Sequence, residues 1–251
     1  MKFRRTIVAL ALLAIPAVPT LALAAPAAAP ATGPVRVAAY TFNGGVTASG
    51  LIASNSTRGT VLRVRAVNGA RITVPTYPGT TVDRYVRFPA KCSATMTRCP
   101  RLLLEGTDDP DLDPGTRPFR WGAKVIATPN HVGLSSNVMQ KGVATTDSQW
   151  KMQIGGQKHR AQCVVVGVGS TRAYVAKSDI GVADGRWHNL VCLRTATSLT
   201  VYVDGSARGR VALPANLSIA NNLPLRVGGA NFGATSDSFN GWVDNVYADR
   251  L

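Results

Sequence analysis

Glutamate is almost missing from this chain: Glu105 is the only one in 251 residues. A pair of glutamates acting as acid and nucleophile on a glycosidic bond therefore cannot be assembled. Aspartates do not replace the pair, because no Asp-x-Asp falls on a convincing strand. No Gly-x-Ser-x-Gly elbow and no His-Glu-x-x-His helix occur, which removes two further hydrolase signatures. Only four cysteines are present, without Cys-x2–4-Cys spacing or clustered histidine, so a zinc site is excluded. Cys163-Val-Val-Val-Gly167-Val168-Gly169 has no third glycine and no following helix, so it reads as a turn and not as a dinucleotide loop. No run of four Lys or Arg exists, which argues against a nucleic-acid arm. Long 3.6-residue periodicity and internal repeats are also lacking. Charged residues are only 16%, but 45% are hydrophobic, which is ordinary for a folded domain and not for a disordered chain.

What is there begins with a leader. Lys2, Arg4 and Arg5 precede an apolar run from Ile7 to Leu23, and Ala22-Leu23-Ala24 is a small-x-small cleavage site. Residues 1–24 read as a secretory signal peptide, since Pro16 and Pro19 break the run too early for a membrane anchor. Residues 25–34 form a Pro/Ala linker, leaving 35–251 as the domain. The expected product is secreted, without a membrane span, and monomeric. Removing the leader leaves 25 Lys+Arg against 13 Asp+Glu, a net charge of +12. A basic secreted protein suits an acidic polysaccharide or an anionic surface as partner.

Four cysteines in an exported chain read as two disulfides, for which three pairings are open. The preferred one joins Cys92 to Cys99 across a short turn and Cys163 to Cys192, on two segments that read as neighbouring strands. Loop-closure entropy gives about 2.5 kcal/mol for the short loop and roughly 3.5 for the long one. Thirteen short β-branched or alternating runs are separated by turn signals such as Asn68-Gly69, Asp184-Gly185 and Asp204-Gly205. They extend from Val35–Phe42 through Arg71–Val74, Arg101–Glu105 and Ser198–Val203 to Phe239–Ala248. The fold class expected is all-β, a two-sheet antiparallel β-sandwich or jelly roll.

Asp184-Gly185-Arg186-Trp187-His188-Asn189-Leu190-Val191, followed by Leu199-Thr200-Val201-Tyr202-Val203-Asp204-Gly205, resembles the signature of laminin-G-like domains, which are concanavalin A-like. Leu225-Arg226-Val227-Gly228-Gly229 and Phe239-Asn240-Gly241-Trp242-Val243-Asp244-Asn245-Val246 resemble that family's closing strands. The resemblance covers residues 37–249 and is of the secreted actinobacterial type, in which a bridge like Cys163–Cys192 is expected. It implies a fold more than a function, because such domains include lectins, adhesion modules, hydrolases and lyases. It also places Trp187 between the sheets and turns His188 outward. The glucanase strand Glu-x-Asp-x-x-Glu is missing. Gln153-Ile154-Gly155 stands where an alginate-lyase-type domain has Gln-Ile-His.

No cofactor is required on this reading, and a structural calcium is the one ion to consider. The resemblance implies Asp244 with backbone near Asn43 and Gly45 as its ligands. Asp109, Asp111 and Asp113 form a weaker candidate, since an EF-hand needs a glutamate where Arg120 stands. Arg117 and Arg120 are the expected counter-charges of that acidic turn. Asn231, Phe232 and Asp237 lie in a polar loop suited to ligand contact. Tyr77 and Tyr85, in irregular segments, are the aromatics expected to be exposed. The function expected is noncatalytic binding of a polysaccharide or glycoconjugate outside the cell. Alternatives are a protein-interaction domain, or an enzyme with non-standard residues.

Overall fold

Alternation of apolar and polar residues favours strands, as in Phe119–Ile126 and Ser198–Val203, while runs such as Leu102–Leu104 are buried on both faces. The computed structural model describes residues 33–251 apart from 94, 234 and 235. The expected signal peptide and residues 25–32 of the linker lie outside the described residues. The strands are β1 (Val35–Tyr40), β2 (Leu51–Ile52), β3 (Leu62–Val67), β4 (Val86–Arg87), β5 (Arg101–Glu105), β6 (Phe119–Ile126), β7 (Ser135–Gly142), β8 (Gln149–Gly155), β9 (Arg160–Val166), β10 (Ala173–Gly181), β11 (Trp187–Arg194), β12 (Ser198–Val203), β13 (Ser206–Ala212), β14 (Leu225–Val227) and β15 (Trp242–Arg250). Two short 3-10 turns, Pro110–Leu112 and Pro129–His131, are the only helical elements among the described residues.

The first sheet runs β1-β15-β6-β11-β12-β13, with β4 also beside β15. The second runs β10-β9-β8-β7-β14-β5-β3-β2. Every strand pairing is antiparallel, as an all-β sandwich requires. Asp204 and Gly205 both take positive φ, 52° and 80°, which closes β12 onto β13 in a tight hairpin.

Phe119 and Trp121 of β6 meet Trp150 of β8 across the core, all fully buried, with the two indole rings 5.4 Å apart. These rings fill the space between the sheets. Trp187 does not, contrary to the sequence expectation. It pairs in register with Ile126, on the outer side of β6, and so faces away from the core. Its neighbour His188 is clasped by Asp204 at 2.7 Å and Asp184 at 3.1 Å.

Both expected disulfides are present. Cys92–Cys99 staples a loop. Cys163 on β9 and Cys192 on β11 belong to different sheets, so their bond crosses the core where adjacent strands were expected.

Two cations are buried in this interior. Lys141 of β7 is fully covered, and its ammonium meets Asp113 at 2.8 Å, Asp108 at 3.0 Å and the Asn221 carbonyl. Arg194 of β11 is equally covered and donates to the carbonyls of Gly115, Arg117 and Leu217. Together they tie the 108–117 and 217–221 connections to the two sheets. A buried ion pair such as Lys141–Asp113 is costly to break, because one charge is then left uncompensated.

Two predictions follow from these contacts. Lys141→Met strands Asp113 beside the core and should lower unfolding free energy by about 3–5 kcal/mol in urea titration followed by tryptophan fluorescence. Burial tends to lower the His188 pKa, but hydrogen bonds and charge from Asp204 and Asp184 outweigh it and raise the value above 6.5. The stabilisation is therefore complete below about pH 6.5 and fades as pH rises through the higher folded value. Thermal melts between pH 6 and 9 should show this loss in the native chain, and His188→Gln should flatten it.

Candidate functional site

Outer positions along the middle of β7 and β8 in the second sheet carry hydrogen-bonding side chains, beside Val164 and Val166 of β9 on the same face. In β8 the sequence Gln149-Trp150-Lys151-Met152-Gln153-Ile154 turns Trp150, Met152 and Ile154 into the core. Gln149, Lys151 and Gln153 therefore face outward. On β9, Gln162 pairs with Gln153 and shares that face.

A bulge adds two more amides from β7. The register slips between Asn137, opposite Gln153, and Met139, opposite Met152. Val138 is the extra residue and stays buried. In a regular strand residues three apart lie on opposite faces. Here the bulge puts Asn137 and Gln140 on one face, and the Asn137 amide donates to Gln140 Oε1 at 2.7 Å.

These groups are held by one another. Gln140 donates to the Gly142 carbonyl at 2.9 Å, and Gln149 to the same oxygen at 3.1 Å. Gln153 donates to Gln162 Oε1 at 2.7 Å. Ser135 lies between Gln153 Oε1 at 2.8 Å and Asp237 at 3.1 Å. Each amide has capacity for more bonds than it makes. Asn137 Oδ1 is buried without a hydrogen-bond partner.

The 143–145 loop and Ala230, Asn231, Ser236 and Asp237 wall Asn137, Gln140, Gln149 and Lys151 into a cleft of about 220 Å³, and Gln153 and Gln162 continue the strip outside it. Lys151 stands in it half-buried. Burial lowers the pKa of its ammonium, opposed by the charge of Asp237. Asp237 is the only carboxylate lining the cleft among the described residues. Glu105, further along the sheet, is engaged by Arg226 at 2.8 Å and Arg65 at 3.6 Å.

The other sequence candidates separate into distinct places. Asn231 and Asp237 line the amide cleft. Phe232 faces an adjoining hollow with Arg101 and the Cys92–Cys99 bridge. Tyr77 and Tyr85 sit on the outer face of the first sheet, packed at 4.9 Å against each other and at 5.3 and 5.4 Å against Trp187. Tyr85, expected to be exposed, is buried and stacks on Trp242 at 5.2 Å. The other neighbour of Trp242 is Arg87, 4.8 Å from the ring. These rings are mutually covered and fasten the 73–88 segment to the sheet.

Asp244 lies beside this cluster with Asn43, Asp83, Lys124 and Asn245. Its Oδ2 accepts from the Tyr77 hydroxyl at 2.8 Å, and its Oδ1 from the Asn245 backbone at 2.7 Å. Burial raises the Asp244 pKa against the opposing effects of Tyr77, Asn245 and Lys124. Burial and the bond to Asp244 also push the Tyr77 hydroxyl up. Gly45 belongs to a turn onto the Phe42 carbonyl. Calcium needs oxygen lone pairs that converge. Here O–H and N–H donors already converge on Asp244 with an ammonium nearby, so the donor set does not fit that ion.

The acidic turn is arranged in the same divergent way. Asp109 caps its own 3-10 turn through the Asp111 amide. Asp111 pairs with Arg58 at 3.1 Å and Arg250 at 2.8 Å, and Asp113 with Lys141. The partners are not Arg117 and Arg120, as expected from sequence. Among the described residues no three His, Cys, Asp or Glu side chains gather as a metal cluster would require.

Comparison with known proteins places the architecture. Residues 126–248 match a laminin G family model of the concanavalin A-like lectin/glucanases superfamily. No curated protein sequence matches. Domain 4 of AbnA, an extracellular arabinanase from Geobacillus stearothermophilus solved in complex with arabinotriose, superposes with a TM-score of 0.62 at 11% identity, over 86% of this chain and 93% of that one. The binding domain of Paraclostridial Mosquitocidal Protein 1 superposes at 0.59 and 10% identity, over 86% and 49%. The binding domain of Botulinum Neurotoxin DC in complex with SialylT gives 0.57 at 10%, over 86% and 48%. The chain thus spans about half the length of either toxin domain. At such identities the likeness is one of fold, a concanavalin A-like jelly roll.

The Asp244 geometry predicts that adding millimolar calcium to EDTA-treated protein leaves the melting temperature unchanged. A clear rise, abolished by Asp244→Asn, would place a cation there after all.

Proposed function

We propose that this domain is a noncatalytic glycan-binding module whose ligand lies in the amide-lined cleft on the outer face of the second sheet. The observation that carries the reading is the bulge-aligned row of Asn137, Gln140 and Gln149 that lines the cleft, continued beside it by Gln153 and Gln162. These amides are fixed by bonds to one another and to the backbone, with capacity to spare. Sugar hydroxyls are donors and acceptors at once, and pre-positioned amides match both. The chemistry of glycoside cleavage is not supported there. Retaining hydrolysis needs two carboxyl groups about 5 Å apart, and Asp237 stands alone in the cleft among the described residues.

Similar architectures point the same way. The arabinanase domain was solved with a bound oligosaccharide and the neurotoxin domain with SialylT. Export is part of the proposal. The two disulfides fit an extracellular compartment, and no helix among the described residues is long and apolar enough to cross a membrane. A glycan of the cell surface or its surroundings is the natural partner.

The test is a glycan array probed with oxidised protein in physiological salt, followed by titration of any hit. Gln140→Leu and Gln149→Leu should each weaken the hit by tenfold or more, about the effect of leaving buried polar partners unmatched. Tyr77→Phe, on the opposite sheet, should leave affinity unchanged. Loss on Tyr77→Phe with retention in both glutamine variants would move the site to the first sheet.

A further inference from the structure

Lys151 is the one group in the cleft whose chemistry an amide-lined sugar site does not by itself explain. It has no ion pair or hydrogen bond among the described residues, although the other buried lysine, Lys141, has three partners. Lys151 is also partly desolvated before any ligand arrives. A ligand that fills the cleft removes more water from the ammonium. If that ligand is neutral, the charge is left poorly compensated, which is costly.

The register extends this feature into a row. Lys151 lies opposite Gln140, Gln140 opposite Arg226, Arg226 opposite Glu105, and Glu105 opposite Arg63. Glu105 is already matched by Arg226 and Arg65. Arg63 is exposed and has no carboxylate partner among the described residues. Strands are spaced about 4.8 Å apart, so a chain laid across them meets Lys151 and, about 19 Å on, Arg63, while Arg226 between them is held by Glu105 and the Ala230 carbonyl. Beside the matched Glu105, Asp237 is the one opposing charge. It stands at the loop side of Lys151 and is engaged by Ser135.

We infer that the cleft is selective for a linear glycan bearing carboxylate or sulfate groups, with Lys151 as the anion-binding residue and the exposed Arg63 continuing the track across the strands. This rests on the cleft being the glycan site and adds the class of glycan to it.

The experiment is titration in physiological salt against polygalacturonate and carboxyl-reduced polygalacturonate, and against dextran sulfate and dextran. Native protein is compared with Lys151→Met, Lys151→Arg, Gln149→Leu and the distant charge control Arg186→Gln, each checked by thermal melt. Native protein should prefer an acidic polymer to its neutral counterpart by tenfold or more, the scale of one charge-assisted hydrogen bond. The polymer preferred separates carboxylate from sulfate recognition. Lys151→Met should abolish the preference, Lys151→Arg restore most of it, and Arg186→Gln leave it intact.

Equal preference in Lys151→Met, with binding still lost in Gln149→Leu, overturns the anionic assignment while the cleft stands. Equal weakening by Lys151→Met and Arg186→Gln means net charge alone is acting, and also overturns it. Binding insensitive to Gln149→Leu, or no binding to any of the four polymers, overturns the cleft reading and this inference with it.

Discussion

The ammonium of Lys141 fixes more of this molecule than any other single group. It enters the core from the middle of the second sheet, where Trp150 and Leu225 are its cross-strand neighbours. There it gathers Asp113, Asp108 and the Asn221 carbonyl. A buried charge tolerates no register but the one that satisfies it. A one-residue slip of β7 would carry Lys141 to the surface, strand its carboxylates and push Gln140 into the core. The outward direction of Gln140, and with it the row of amides, depends on a contact on the opposite side of the same strand.

The two faces of the sandwich divide their chemistry accordingly. On the first sheet, aromatic rings and the Tyr77–Asp244 bond are turned on each other and hold a segment down. Their polarity is satisfied internally. On the second sheet the polar groups are tethered without being saturated. Tethering without saturation is what distinguishes a surface prepared for a ligand from one that only holds itself together. Residue type alone does not separate the two: by composition, the cluster of Tyr77, Tyr85, Trp187 and Trp242 is the more conventional sugar platform.

The strands were legible because alternation states them, with Arg101–Glu105 and Ser198–Val203 falling on the residues expected. β13 was not, since Ser206–Ala212 has no β-branched run and becomes a strand only by pairing with β12 after the Asp204-Gly205 turn. Arg71–Val74 has the pattern of a strand and forms only a bridge at Thr73. Asn231 and Asp237 could be picked out as a polar loop. Gln140, Gln149, Lys151 and Gln162 could not, because a polar residue on a strand reads first as solvent-facing. The signal was the run of outer positions in β8, with Gln149, Lys151 and Gln153 all hydrogen-bonding side chains. Trp187 was misplaced for a related reason: alternation gives two faces without saying which is the core.

Val138 shows how such a surface is inherited. It touches nothing outside the core, yet it is the inserted residue that brings Asn137 and Gln140 to the same side. The chemistry of the face is thus written partly in the length of a strand and not only in the identity of its side chains. Two relatives with the same amides but one residue fewer here would present them to opposite environments. A position-by-position comparison of their sequences would score them as alike.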